Sequence, residues 1–186
     1  MNRVLPLCFI LSAALQASVR ADSGAPYLIM GSGALSTDRL VSFFMECNPG
    51  ADEQKVGRLA ILYVEECSTE GVNYDVAFVQ MCLETGFLRF GGLVTEDMNN
   101  FCGLGATGPE HPGHCFPDER TGVRAHVQHL KAYGSTEPLV GELVDPRYHF
   151  VDPKGRSPGI LGLSGTWAAD PDYGAKLIDL LERMYQ

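Results

Sequence analysis

Apolar residues recur at helical spacing through most of the chain beyond residue 36. Leu40, Val41, Phe43 and Phe44 predict a short helix over residues 37–46, stopped by Asn48-Pro49-Gly50. Val56, Leu59, Ala60, Tyr63, Val64 and Cys67 form one stripe of a second helix over residues 52–68, with Glu65 and Glu66 on its solvated face. A third run, Val76, Ala77, Val79, Met81, Cys82 and Leu83, follows polar caps at Asn73 or Asp75 and is apolar on most faces. It predicts a central buried helix that stops near Gly86. Val123, Val127 and Leu130 predict a fourth helix over residues 122–133. Tyr173, Leu177, Leu180, Leu181 and Met184 predict a last one, with Asp170 as N-cap and Pro171 in its first turn. Turns and loops fill the rest: residues 87–92, a short helical turn opened by Glu96-Asp97, a Gly/Pro-rich loop over residues 105–121, and a second over residues 145–162. A loop of that length in a compact domain packs over a groove or serves function. The expected architecture is mainly α.

The N-terminal pattern differs. An early Arg3, an apolar run over residues 5–15 and small residues up to Ala21 make residues 1–21 a secretory signal peptide, too short to span a bilayer. Residues 22–36, rich in Gly, Ser and Ala, read as an extended or disordered lead-in, leaving residues 37–186 as the folded domain. The chain of 186 residues, 45% hydrophobic, suffices for one domain with a proper core and not for two ordinary ones. Loss of residues 1–21 removes two arginines and no acid, so the formal charge moves from −9 to −11. That balance excludes nucleic acid as a natural partner. Export permits disulfides, and the mature chain holds five cysteines, an odd number. Cys47 with Cys67 and Cys102 with Cys115 are conceivable pairs, and Cys82 suits a free core thiol.

Candidate chemistry centres on Glu84, the one carboxylate of the third helix after Asp75. In the last helical turn it faces the negative end of the helix dipole among apolar neighbours, and both raise a carboxyl pKa toward that of a general acid. An ordinary solvated or ion-paired side chain remains the alternative at this point. Downstream, Asn99-Asn100-Phe101-Cys102-Gly103-Leu104-Gly105 offers carboxamides and glycines that can bring backbone close to a ligand. His111, His114 and Cys115 lack the second ligand pair of a structural zinc site, so no metal and no cofactor is expected. His126 and His129 either face a cleft or are held in the core.

The stretch EGVNYDVAFVQMCLETGFLRFGG, followed by NNFCGLGATG and GVRAHVQHLKAY, resembles the glucosaminidase domain of glycoside hydrolase family 73, in one bacterial subgroup. Trp167 followed by Ala-x-Asp-Pro-x-Tyr over residues 168–173 resembles the family's closing motif, and the similarity covers most of residues 46–185. The resemblance implies a lysozyme-like helical domain that cleaves peptidoglycan glycan strands at the β-1,4 bond after N-acetylglucosamine; the signal-peptide pattern makes it exported, and a monomer is expected. Glu84 matches the catalytic acid and Tyr173 the tyrosine beside the scissile bond. Asn99, Asn100 and Gly103 match the turn under the cleft, which carries Phe101 within it as a further candidate contact; read from the residues themselves, Trp167 and His126 are further candidate sugar contacts. The family commonly presents a second acid on a small β-hairpin, which is short or absent here; Glu119 is the preferred candidate, with Asp118, Glu96 and Asp97 as competitors. A muramidase or lytic transglycosylase on the same scaffold, or a non-catalytic wall-binding module, are the alternatives.

Overall fold

The computed structural model describes residues 27–186, so the signal-peptide segment lies outside the described residues. Five helices carry the fold: α1 (Thr37–Cys47), α2 (Glu53–Glu70), α3 (Tyr74–Glu84), α4 (Glu119–Gly134) and α5 (Tyr173–Met184). A two-stranded hairpin, β1 (Ala106–Gly108) with β2 (His111–Pro112), separates α3 from α4. The mainly helical expectation holds, and the hairpin is present in its short form.

Helix α3 is the axis of the molecule. Asn73 caps it, accepting from the amide of Asp75 at 3.0 Å, and every residue from Asp75 to Cys82 is buried. Such all-round burial needs neighbours on every side, and α1, α2, α4 and α5 supply them. Helix α2 lies along α4 and presents Val56, Leu59, Ala60, Tyr63 and Cys67 to the core.

Several local expectations are corrected. The described part of the lead-in is not loose: Ile29 is fully buried, its amide donates to Pro158 O and its carbonyl accepts from Asn73, each at 2.9 Å. The short apolar run Tyr27-Leu28-Ile29-Met30 finds backbone partners far along the chain, which local composition does not reveal. Glu66 is not on a solvated face, being 4% exposed and bridged to Arg124 and Arg120 of α4, each at 2.8 Å. Burial alone would raise its pKa, but the two guanidinium hydrogen bonds outweigh that and hold the carboxyl below its ordinary range. Glu70 is buried too, clasped by Lys131 at 2.9 Å and by the amides of Val140 and Gly141. Helix α4 starts earlier than residue 122, because Asp118 caps it through the Thr121 amide at 2.7 Å. Asp170 does not cap α5; the helix begins at Tyr173, and Asp170 instead binds the Asp172 amide and Lys176. The five described cysteines are free thiols, so neither conceivable pair forms: Cys67 points into the core from α2, and Cys102 is buried while Cys115 is exposed.

Candidate active site

Glu84 is the last residue of α3, and the chain turns an unusual corner directly after it. Gly86, Phe87, Leu88 and Phe90 all have left-handed φ, between 52° and 57°. Non-glycine residues pay about 1 kcal/mol or more each for that conformation. Thr85 holds the corner: its hydroxyl donates to Met81 O at 2.8 Å and accepts from the Leu88 amide at 2.9 Å. Asn48 grips the Phe87 carbonyl at 2.8 Å, and the Phe87 ring packs edge-on against Phe43 and Phe44.

Opposite stands the Asn-Asn turn. Asn99, at φ 50°, ends the short turn Glu96–Met98 and donates to Phe116 O at 3.1 Å. Asn100 is buried and clasps the loop from within, its Nδ2 donating to Leu104 O and His114 O, its Oδ1 accepting from the Leu104 amide. The clasp sets Gly103 at φ 66°, where an added Cβ would sit 3.8 Å from Oε2 of Glu84. A cleft of about 190 Å³ opens here, lined among others by Glu84, Phe90, Val94, Asn100, Gly103 and the hairpin residue Ala106; among the described residues Glu84 is the one carboxylate in its lining.

The other oxygen of Glu84 is held from behind. Trp167 donates from Nε1 to Oε1 at 3.0 Å, and the Tyr173 hydroxyl donates to the same Oε1. Trp167 is locked among His126, His129 and Tyr133, with ring centroids 5.2 to 5.8 Å apart. Burial raises the pKa of Glu84, and the two hydrogen bonds offset only part of the rise. Burial, the neighbouring Glu84 charge and its hydrogen bond push the Tyr173 hydroxyl far above its ordinary value, so it remains a donor.

The structure thus brings Glu84, Asn100, Gly103, Trp167 and Tyr173 together, with Asn99 bracing the turn. It does not bring Glu119, which pairs with Arg58 in a separate depression beside Asp118 and Arg120. Asp118 is spent as a helix cap and Glu96 as the partner of Lys55 at 2.7 Å. Phe101 is fully buried and offers no surface to a ligand. His126 is fully buried behind Trp167, bonded to Tyr63 and Gln80. His129 likewise turns inward, onto Asp145 at 2.8 Å. Two residues escaped sequence reasoning. Gln80, a lone amide in an apolar run, contacts Tyr173 at 2.9 Å. Glu110 sits exposed in the two-residue turn between β1 and β2, after Gly108-Pro109, a turn signal that could have placed it.

Residues 60–186 match the family described as mannosyl-glycoprotein endo-beta-N-acetylglucosaminidase. The chain belongs to this glucosaminidase family. A Borreliella burgdorferi protein described only as uncharacterized is 39% identical over 167 residues, covering 90% of this chain and 81% of its own length. S. Aureus Autolysin E, solved in complex with the muropeptide NAM-L-ALA-D-iGLU, superposes with a TM-score of 0.51 at 13% identity, over 87% of this chain and 72% of that one. A catalytic mutant of Autolysin E in complex with the disaccharide NAG-NAM gives the same TM-score at 12% identity. The glucosaminidase fold is therefore the lysozyme-like, mainly helical one, with α3 at its centre.

Proposed function

We propose that this glucosaminidase-family protein is an exported peptidoglycan hydrolase that cleaves the β-1,4 bond following N-acetylglucosamine. The observation that carries the reading is Glu84: a largely buried carboxyl of raised pKa, anchored through Oε1, with Oε2 beside Gly103 in the cleft. A protonated carboxyl in that position is a general acid. Its proton passes to the glycosidic oxygen as the bond from that oxygen to the anomeric carbon breaks, so the leaving group departs as an alcohol rather than an alkoxide. Positive charge then develops on the sugar ring and the carboxylate left behind stabilises it. The molecules in complex with Autolysin E and its catalytic mutant, a muropeptide and NAG-NAM, support peptidoglycan as the polymer, as does family membership.

Glu119 is disfavoured as the second catalytic group, because its carboxylate pairs with Arg58 in a separate depression. We assign the water-activating role to Glu110, at the tip of the hairpin whose Ala106 lines the cleft. Glu110→Gln is expected to cut the rate by about a hundredfold without changing stability, the usual scale for losing a general base. An unchanged rate would give the role to the sugar's own acetamido group instead.

The reading as a whole is tested by digesting purified peptidoglycan with the mature protein, reducing the products with borohydride and weighing them. Reduced N-acetylglucosamine ends are expected. Reduced N-acetylmuramic acid ends would make the protein a muramidase and anhydro ends a transglycosylase. Export rests on residues 1–21; among the described residues no helix is long and apolar enough to cross a membrane.

A further inference from the structure

Behind Glu84 a single file of buried hydrogen bonds crosses the molecule. Tyr63 of α2 meets Nδ1 of His126 of α4 at 2.8 Å, and Nε2 of His126 meets Oε1 of Gln80 of α3 at 3.0 Å. Nε2 of Gln80 then donates to the Tyr173 hydroxyl at 2.9 Å, and Tyr173 donates to Oε1 of Glu84. Tyr63, Gln80 and His126 are all 0% exposed, so the file is shut off from bulk solvent.

A hydroxyl carries one hydrogen and a neutral imidazole one N–H, so each donor choice fixes the next. With Tyr63 donating, His126 carries its proton on Nε2, Gln80 turns its oxygen toward the imidazole and its nitrogen toward Tyr173, and Tyr173 donates to Glu84. Every hydrogen lying between two successive members of the file then has an acceptor. In the reverse polarity His126 donates from Nδ1 to Tyr63, whose own hydrogen has no other partner among the described residues. Gln80 would then accept from Tyr173, and Glu84 could join only by donating from Oε1. The acid proton would lie on the oxygen facing away from the cleft. Trp167, whose indole N–H can only donate, presses Oε1 into the acceptor role from a second side. Burying a donor without an acceptor is costly, so the forward polarity prevails.

Resting on the assignment of Glu84 as the acid, we propose that Gln80 is a positioning residue which, through Tyr173, keeps the acid proton of Glu84 on Oε2, and that Tyr63 and His126 fix the orientation of Gln80. Burial, reinforced by His129, lowers the pKa of His126 to about 3, which keeps the imidazole neutral as the file requires. The other titratable groups facing the file are Cys67, Cys82 and Cys102, whose thiols burial pushes up, together with His129 and Asp145.

The test uses the full-length protein with 15N-labelled histidine. His126 is expected as the neutral Nε2–H tautomer wherever the protein is folded; a proton on Nδ1 would reverse the file and overturn the proposal. In parallel, Gln80→Met removes both amide contacts at nearly constant volume. Its kcat on peptidoglycan is expected to fall about tenfold with KM unchanged, a loss confined to the transition state. Its alkaline pH limb is expected to move upward, because the Glu84 carboxylate loses part of the hydrogen bonding that favours it. Parental kcat and pH profile in Gln80→Met would sink the proposal even with the tautomer as stated. A parent protein that releases no glycan fragments refutes the hydrolase reading separately, and the tautomer alone then upholds or overturns the polarity of the file.

Discussion

Glu84→Gln is expected to fold as its parent does and to lose glycan cleavage by a hundredfold or more, a loss of about 3 kcal/mol or more in transition-state stabilisation. The amide keeps an oxygen for Trp167 and Tyr173 and has the same shape, but it has no proton to give. Fragment release at the parental rate would remove Glu84 from the mechanism. The same variant reports on stability. Because burial raises the Glu84 pKa in the folded state, the native protein keeps a proton that the unfolded chain has already lost. Below the ordinary carboxylate value both states are protonated and nothing is lost. As pH rises from that value through the raised one, the parent loses stability and the glutamine variant does not. Melting curves should therefore diverge in favour of Glu84→Gln as pH rises above about 4, the ordinary carboxylate value. Curves that keep a constant separation as pH rises would mean that the carboxyl is not perturbed.

Gly122→Ala is expected to destabilise the protein by about 3 kcal/mol or more. In an unobstructed helix interior the change would stabilise by about 1 kcal/mol, since alanine is the better helix former. Here a Cβ would lie 1.8 Å from the carbonyl oxygen of Asn99 and 3.3 Å from the Phe101 ring. The obstacle is backbone, so no rotamer relieves it; α4 must retreat or the Asn-Asn turn must shift under the cleft. Urea denaturation measures the cost, and a variant as stable as the parent would show that α4 and the turn do not touch.

Much of the fold was legible because its signals are local or periodic. The stripes of α1, α2 and α5 and the all-round apolarity of α3 predicted their burial, and the start of α3 was announced by two polar candidates, Asn73 and Asp75, of which Asn73 is the cap. Charge was less legible. Nothing local distinguishes Glu65, paired at the surface with Arg120, from Glu66 beside it, which is buried against Arg120 and Arg124 from more than 50 residues away. Glu119 looked available for chemistry for the same reason, since Arg58 lies on another helix. The candidate site was legible where the resemblance named residues that converge, as Glu84, Trp167 and Tyr173 do. The site expectation fails at Phe101 and His126, both fully buried, because a place in a turn or on a helix does not record which way the side chain faces. Gln80 was invisible: one amide in an apolar run acquires meaning only when Tyr173 and His126 arrive on either side of it.

The left-handed corner after Glu84 sets a trade-off for any selection on heat resistance. Phe87, Leu88 and Phe90 hold backbone angles that glycine or asparagine adopts at lower cost, so relaxing replacements would accumulate there. Each would also take an aromatic or aliphatic side chain from the corner that ends the Glu84 helix, and at Phe90 from the cleft wall itself. A thermally hardened variant of this protein would be recognised by the catalytic competence it gave up at these three positions.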